Sequence, residues 1–395
     1  MKTKITVGTL IFSSFALLAQ HRSITFEHTS FKEIKEKALK ENKLIFIDAY
    51  TTWCGPCKQM SKNIFTNDSV ADYYNKNFVN AKIDMEKGEG PEIAKNFEVQ
   101  CYPNLLFVDG NGKLIHRLAG SMSVKEFIEL GEQTKFPEKC FSYYSKNYET
   151  NKTNIDFLYN YIDARSATCL ESEDLVKKYF SLQKESDLFS QKNWEMIKGY
   201  VYSLDSKEFK FLMNNKQKYV DLYSLKSIDE KIEDVLKNSL SSIIRSTSFD
   251  EEKYKSAKQK ILSFNHSNVK FIFFEADLLL AEKKQDWLNY SKLALNNVDL
   301  YYLNNADLLN SFAWTFYEHV NDMEYLVKAE QWAKKACELD DSYANLDTYA
   351  SVLFKEGKKD DALLIAKKAI HAAEKAQLDP KDYETTSNLI LKIKS

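Results

Sequence analysis

The chain has 395 residues, 44% of them hydrophobic and 28% charged, and Lys+Arg at 55 against Asp+Glu at 57 gives a formal net charge of −2. Such a length predicts more than one core, and the balanced charge removes the electrostatic case for nucleic acid or an anionic membrane surface as partner. Only 10 Gly and 5 Pro leave few helix breakers, so long helical stretches are expected.

Lys2 and Lys4 precede an uncharged apolar run over residues 5–19. The run is short for a membrane span of roughly 20 residues and suits a signal peptide, with Ala19 offering a small residue for cleavage. Residues 1–19 are therefore expected to direct export to the periplasm or beyond, not to the cytoplasm. An uncleaved anchor is the alternative.

From there to residue 133, strand and helix patterns alternate. Residues 24–27 form a short strand candidate, and residues 31–42 an amphipathic helix with Ser30 as N-cap. Leu44-Ile-Phe-Ile is a continuous apolar run, the signature of a strand buried on both faces. A helix opens near Cys54 and Cys57, another covers residues 70–78, and strands are expected over 79–85 and 104–108. Asp109-Gly-Asn-Gly supplies turn chemistry into 114–118, and residues 124–133 close the unit as a helix. The pattern is that of an α/β sandwich.

Beyond residue 136 the chain reads as helix almost throughout. Four regions follow the signal peptide: 20–136, the α/β domain; 137–268, a helical domain of unknown role; 269–379, helical repeats; and 380–395, a helical tail. Ala329, Ala333 and Ala336 recur 33 residues later as Ala362, Ala366 and Ala369. Small residues so spaced share one helix face and let backbones approach closely. Helices over 308–319 and 346–355 would be the first members of each pair. A weaker copy runs over 269–296, where Ala294 matches Ala369. This region resembles tetratricopeptide repeats. Trp287, Trp314 and Trp332 read as core, and the dense lysines of 140–260 as a solvated face.

The chemistry sits in Trp53-Cys54-Gly55-Pro56-Cys57-Lys58, after a buried strand and at the head of a helix. Cysteines three apart across a first helical turn bring two sulfurs within disulfide reach. An ordinary thiol, with a pKa of about 8.5, is only roughly 3% thiolate at pH 7. Reaching a pKa of about 7 needs roughly 2 kcal/mol of differential stabilisation. A helix terminus supplies about 0.3–1 kcal/mol of this and N–H hydrogen bonds the remainder. Pro56 loses no needed donor at a helix start and stiffens the dipeptide between the sulfurs.

Residues 24–133 resemble the thioredoxin superfamily, in particular its exported single-domain members and the periplasmic domain of thiol–disulfide interchange proteins. The resemblance implies a proton-relaying carboxylate at Asp48, six residues before Cys54, and a cis-proline at Pro103 facing the cysteines. It further implies a substrate rim of Trp53, Gly55, Pro56, Tyr102 and Pro103, with the Tyr102 backbone pairing an extended client segment. Asn104 departs from the pattern, which usually has Thr there. Cys54 would attack a client disulfide, Cys57 would release the product, and Asp48 would take the Cys57 proton. Gly-Pro between the cysteines resembles reducing members more than strong oxidants, which tend to carry His.

Of the remaining cysteines, Cys101 reads either as a redox modulator near the active face or as a small buried thiol. Cys140 with Cys169 is a candidate structural bridge, and Cys337 is an inert core thiol. Zinc is disfavoured because a closed site needs four ligands, no second C-x-x-C exists, and the six His lack H-x₃₋₅-H spacing. No metal and no cofactor is expected. The sequence thus predicts an α/β thioredoxin fold followed by an all-α, tetratricopeptide-like helical region. The expected activity is extracytoplasmic reduction of disulfide-containing protein clients, fed by a membrane electron donor, with a protein partner on the repeats. A non-catalytic partner-binding protein and a disulfide oxidase or isomerase are the alternatives.

Overall fold

The computed structural model describes residues 22–395; the signal-peptide reading of residues 1–19 lies outside the described residues. The N-terminal sheet has five strands, β1 (Phe26–Glu27), β2 (Leu44–Tyr50), β3 (Phe78–Asp84), β4 (Asn104–Val108) and β5 (Leu114–Ala119). Their order is β1-β3-β2-β4-β5, with β1 and β2 parallel to β3, and β4 antiparallel to both β2 and β5. Five helices flank them: α1 (Phe31–Glu41), α2 (Gly55–Asn63), α3 (Asp68–Asn77), α4 (Gly90–Asn96) and α5 (Val124–Gln133).

The period of two in β2 divides the core. Ile45, Ile47 and Ala49 pack with Ile34 and Ala38 of α1 and Ile93 of α4. Phe46 packs on the opposite face with Met60, Tyr74 and Phe127 of α2, α3 and α5. Tyr74 stacks on Phe127 at 4.1 Å, and its hydroxyl donates to the Phe127 carbonyl at 2.7 Å. Capping boxes, Ser30 with Glu33 and Ser123 with Glu126, start α1 and α5.

β2 runs on past its apolar run to Tyr50, which puts Asp48 inside a central strand, as the sequence reading expects. Helix α4 was not expected, because a seven-residue segment beginning Gly-Pro carries little periodicity.

Three further helices, α6 (Phe141–Asn151), α7 (Ile155–Ser166) and α8 (Glu173–Ser181), belong to the same unit as the sheet, since the chain divides after Ser190. The composition boundaries at 136/137 and 268/269 therefore do not coincide with this division. The physical reason is that α6 packs on β5. His116 of β5 is buried and accepts the Phe141 N–H at Nδ1 (3.1 Å), while Nε2 lies 3.1 Å from Gln133 Oε1. The amide fixes the tautomer with hydrogen on Nε2.

The second unit, residues 191–395, is helical. Helices Ala306–His319 and Met323–Leu339 pack together, as do Tyr343–Lys355 and Lys359–Lys375. Ala329, Ala333, Ala336, Ala362, Ala366 and Ala369 are completely buried, and Ala294 is as well. Trp332 is buried and Trp287 stacks on His319 at 3.8 Å. Ala366→Leu should cost about 1–3 kcal/mol through overpacking, whereas Leu364→Ala at an exposed position should stay within about 0.5 kcal/mol. Denaturant melts of the two variants check this.

Candidate active site

Cys54 is the N-cap of α2, and its Sγ accepts the backbone N–H of Cys57 at 3.1 Å. A sulfur thus does the work that Ser or Asp does at other helix starts, and the same N–H favours it as an anion. Cys54 and Cys57 are joined as a disulfide with Cα atoms 5.3 Å apart. Both are nearly covered, at 3% and 2% exposure, while Gly55 and Pro56 are exposed. Gly55 and Pro56 thus form a rim over the two sulfurs.

Trp53, 65% exposed, forms one side of that rim. Its indole N–H donates to Glu86 Oε1 at 2.9 Å, and its ring stands edge-on to Tyr102 at 5.9 Å. The Tyr102–Pro103 peptide is cis. From Gly55 and Pro56 a groove of about 670 Å³ continues past Gln59 and Asn63 to Met122 and Glu126.

Asp48 is completely buried in β2, opposite Lys82 of β3 and Leu105 of β4. Neither carboxylate oxygen has a well-formed hydrogen bond. Lys82 Nζ lies 3.4 Å from Oδ2 and also contacts Ser61 Oγ. Burial pushes the Asp48 carboxyl up to about 6, and Lys82 holds it from going higher.

Sequence reasoning missed Arg117. This β5 residue is 2% exposed; its Nη1 donates to the Phe97 carbonyl (2.6 Å) and its Nη2 to the Glu98 carbonyl (3.4 Å) and Asn104 Oδ1 (3.2 Å). Asn104 in turn reaches the Cys101 carbonyl at 3.5 Å through Nδ2. Asn at position 104 thus couples the cis-proline loop to a buried guanidinium. Burial lowers the Arg117 pKa to about 10. An arginine amid the apolar alternation of β5 was the available signal. Arg117→Leu should cost about 2–3 kcal/mol by leaving these acceptors unpaired, read as a lowered denaturation midpoint.

The other cysteines correct the sequence reading. Cys101 pairs with Cys169, Cα atoms 6.2 Å apart, so the Cys140–Cys169 bridge does not form. Cys140 is buried where α5 turns into α6, and its thiol donates to the Gln133 and Phe136 carbonyls at 3.5 and 3.4 Å. Cys337 is a free thiol pushed up to about 12, mainly by burial.

A model of the thioredoxin-like domain matches residues 31–135. Mitochondrial Thioredoxin-3 of Saccharomyces cerevisiae is 35% identical over 109 residues, covering 27% of this chain and 78% of the relative. Thioredoxin-1 of Drosophila melanogaster is 38% identical over 74 residues, covering 19% of this chain and 64% of the relative, so the match spans less than two thirds of that protein. A solution structure of a candidate disulphide-isomerase from Bacteroides thetaiotaomicron is 45% identical, covering 30% of this chain and 98% of that one, with a TM-score of 0.28. Through residues 31–135, which match the domain model, and the 35% identity to most of the length of the yeast relative, the chain belongs to the thioredoxin-like family.

Proposed function

We propose that the protein is an extracytoplasmic thiol–disulfide oxidoreductase that reduces disulfides in protein clients. The observation that carries the reading is the Cys54 sulfur capping α2, with one N–H, that of Cys57, directed at it. In the reduced chain this favours a Cys54 thiolate. The thiolate attacks one sulfur of a client disulfide, forming a Cys54–client bond and expelling the other client sulfur as thiolate. Cys57, giving its proton to Asp48, then attacks Cys54 Sγ; the Cys54–Cys57 bond forms and the second client sulfur leaves. Two electrons pass to the client.

The reducing direction is supported by how little stabilises the thiolate. Only Gly55 and Pro56 lie between the cysteines, and neither carries a charge or a side-chain donor. Strong oxidants owe their character to a heavily stabilised reduced form. Trp53, Tyr102 and Pro103 form the docking rim, where an extended client segment pairs with the Tyr102 backbone. Export is supported by the apolar run at residues 5–19 and by the Cys101–Cys169 bridge, since such bonds persist in oxidising compartments. There the dithiol needs recharging, which implies a membrane electron donor. The alanine-faced helix pairs form tetratricopeptide-like repeats that hold a protein partner. Turbidimetric insulin reduction tests the reading: the intact chain should precipitate the insulin B chain and Cys54→Ser should not; equal rates would refute it.

A further inference from the structure

The structure holds a second disulfide that the proposed turnover does not use. Cys101 lies two residues before cis Pro103, and Cys169 lies in the turn between α7 and α8. The two residues differ in exposure: Cys101 is half-buried, while Cys169 is exposed. Cys169 also holds φ at 58°, in the left-handed region that often ends a helix and is uncommon for a non-glycine residue. Beside the bridge, the Ala119 N–H at the end of β5 donates to the Ala167 carbonyl at 2.9 Å. The turn itself is tied by Arg165, whose Nε and Nη2 donate to the Glu171 carbonyl at 2.9 and 2.6 Å. A pre-formed turn is thus pinned to the cis-proline loop by one covalent bond and to the end of β5 by one backbone hydrogen bond. On the other side of that loop, Tyr102 meets Trp53 of the docking rim.

We infer that Cys101–Cys169 is a second exchangeable disulfide, opened by a dithiol reductant, whose state sets how firmly the client-docking loop is held. A thiolate of the reductant attacks Sγ of the more exposed residue, Cys169, the Cys101–Cys169 bond breaks, and Cys101 leaves as thiolate. The second thiol of the reductant then attacks its own sulfur in the mixed disulfide, releasing Cys169. The reductant ends as a disulfide, and its two electrons and two protons reside on Cys101 and Cys169. With the covalent pin open, the turn keeps its Ala119–Ala167 hydrogen bond to β5, and the loop keeps its Gly120–Pro103 and Arg117–Asn104 hydrogen bonds to that strand's end but loses its tie to the turn, so the Tyr102–Pro103 segment gains freedom. A loosened loop pays more ordering entropy when it pairs with an extended client, so client affinity falls. The consequence for clients rests on the reductase reading; the exchange does not.

Two measurements on the full chain test the inference separately. First, the oxidised protein is titrated with dithiothreitol under native conditions, alkylated with iodoacetamide and mapped by peptide mass. Cys101 and Cys169 should label together at dithiol concentrations that leave Cys140, buried and hydrogen-bonded, unlabelled. Labelling of Cys101 and Cys169 only when Cys140 labels too would mean that opening requires unfolding, and would overturn the exchange. Second, the double variant Cys101→Ser, Cys169→Ser is compared with wild type on a disulfide-bonded peptide and on the small aromatic disulfide dithionitrobenzoate. KM for the peptide should rise about fivefold or more while turnover of the small disulfide stays unchanged. Unchanged constants on both, or a parallel loss on both, would overturn the coupling to the loop. A wild-type chain inert on both substrates would refute the reductase reading, and the labelling order would still decide the exchange.

Discussion

Cys54→Ser is expected to lower disulfide reduction by about 10³-fold or more, the scale on which loss of a nucleophile acts. Serine keeps the N-cap of α2 and changes the sulfur for an oxygen of comparable reach. Relative to reduced wild type, stability should therefore change little while the reaction stops, and a circular-dichroism melt under reducing conditions beside the insulin assay separates the two effects. Cys57→Ser should differ in kind. Attack by Cys54 survives and release fails, so a single burst of client thiol should appear without turnover. A steady-state rate in Cys57→Ser would place the resolving thiol elsewhere.

Asp48→Asn is expected to make the protein more stable and slower. The folded carboxyl titrates at about 6, against 3.8 in its ordinary state, because burial costs more than Lys82 returns. The folded pKa is the higher one, so ionisation destabilises the fold. The penalty is absent below about pH 4, grows between pH 4 and 6, and is complete above 6. At pH 7 it amounts to about 3 kcal/mol, which the uncharged amide removes. Urea midpoints should favour Asp48→Asn at pH 7 and converge with wild type near pH 4. A constant offset across that range would mean that the carboxyl titrates normally. The rate moves the opposite way: without a base for the Cys57 proton, reduction at pH 7 should fall by about 10²-fold. Wild type should also lose rate as pH drops below 6, an inflection absent from Asp48→Asn. A variant both more stable and slower would show that the buried charge is kept for chemistry.

The sheet was legible because β2 is apolar on both faces and the cysteine motif follows it directly. Cys54, Cys57 and Trp53 were legible for the same reason: local spacing carried them. Asp48 was marked by its offset from Cys54, but its isolation from hydrogen bonds and its ion pair with Lys82 needed the register of β2 against β3. The Cys101–Cys169 bond could not be read from spacing, since its partners are 68 residues apart and α6, α7 and the edge strand β5 decide whether they meet. Arg117 stood out in β5, but its partners could not be read for a related reason. Its acceptors are backbone carbonyls of the segment after α4, an element too short to show periodicity. In the helical unit, the 33-residue offset among the alanines identified the close-packed faces.

One measurement bears most directly on the sulfur at the head of α2. Reduced Cys57→Ser protein is mixed with a disulfide-bonded peptide, quenched with acid and analysed by intact and peptide-level mass. The account predicts one adduct per chain, of the mass of one peptide arm, located on Cys54. An adduct on Cys101 or Cys169 in its place, or none at all, would contradict it.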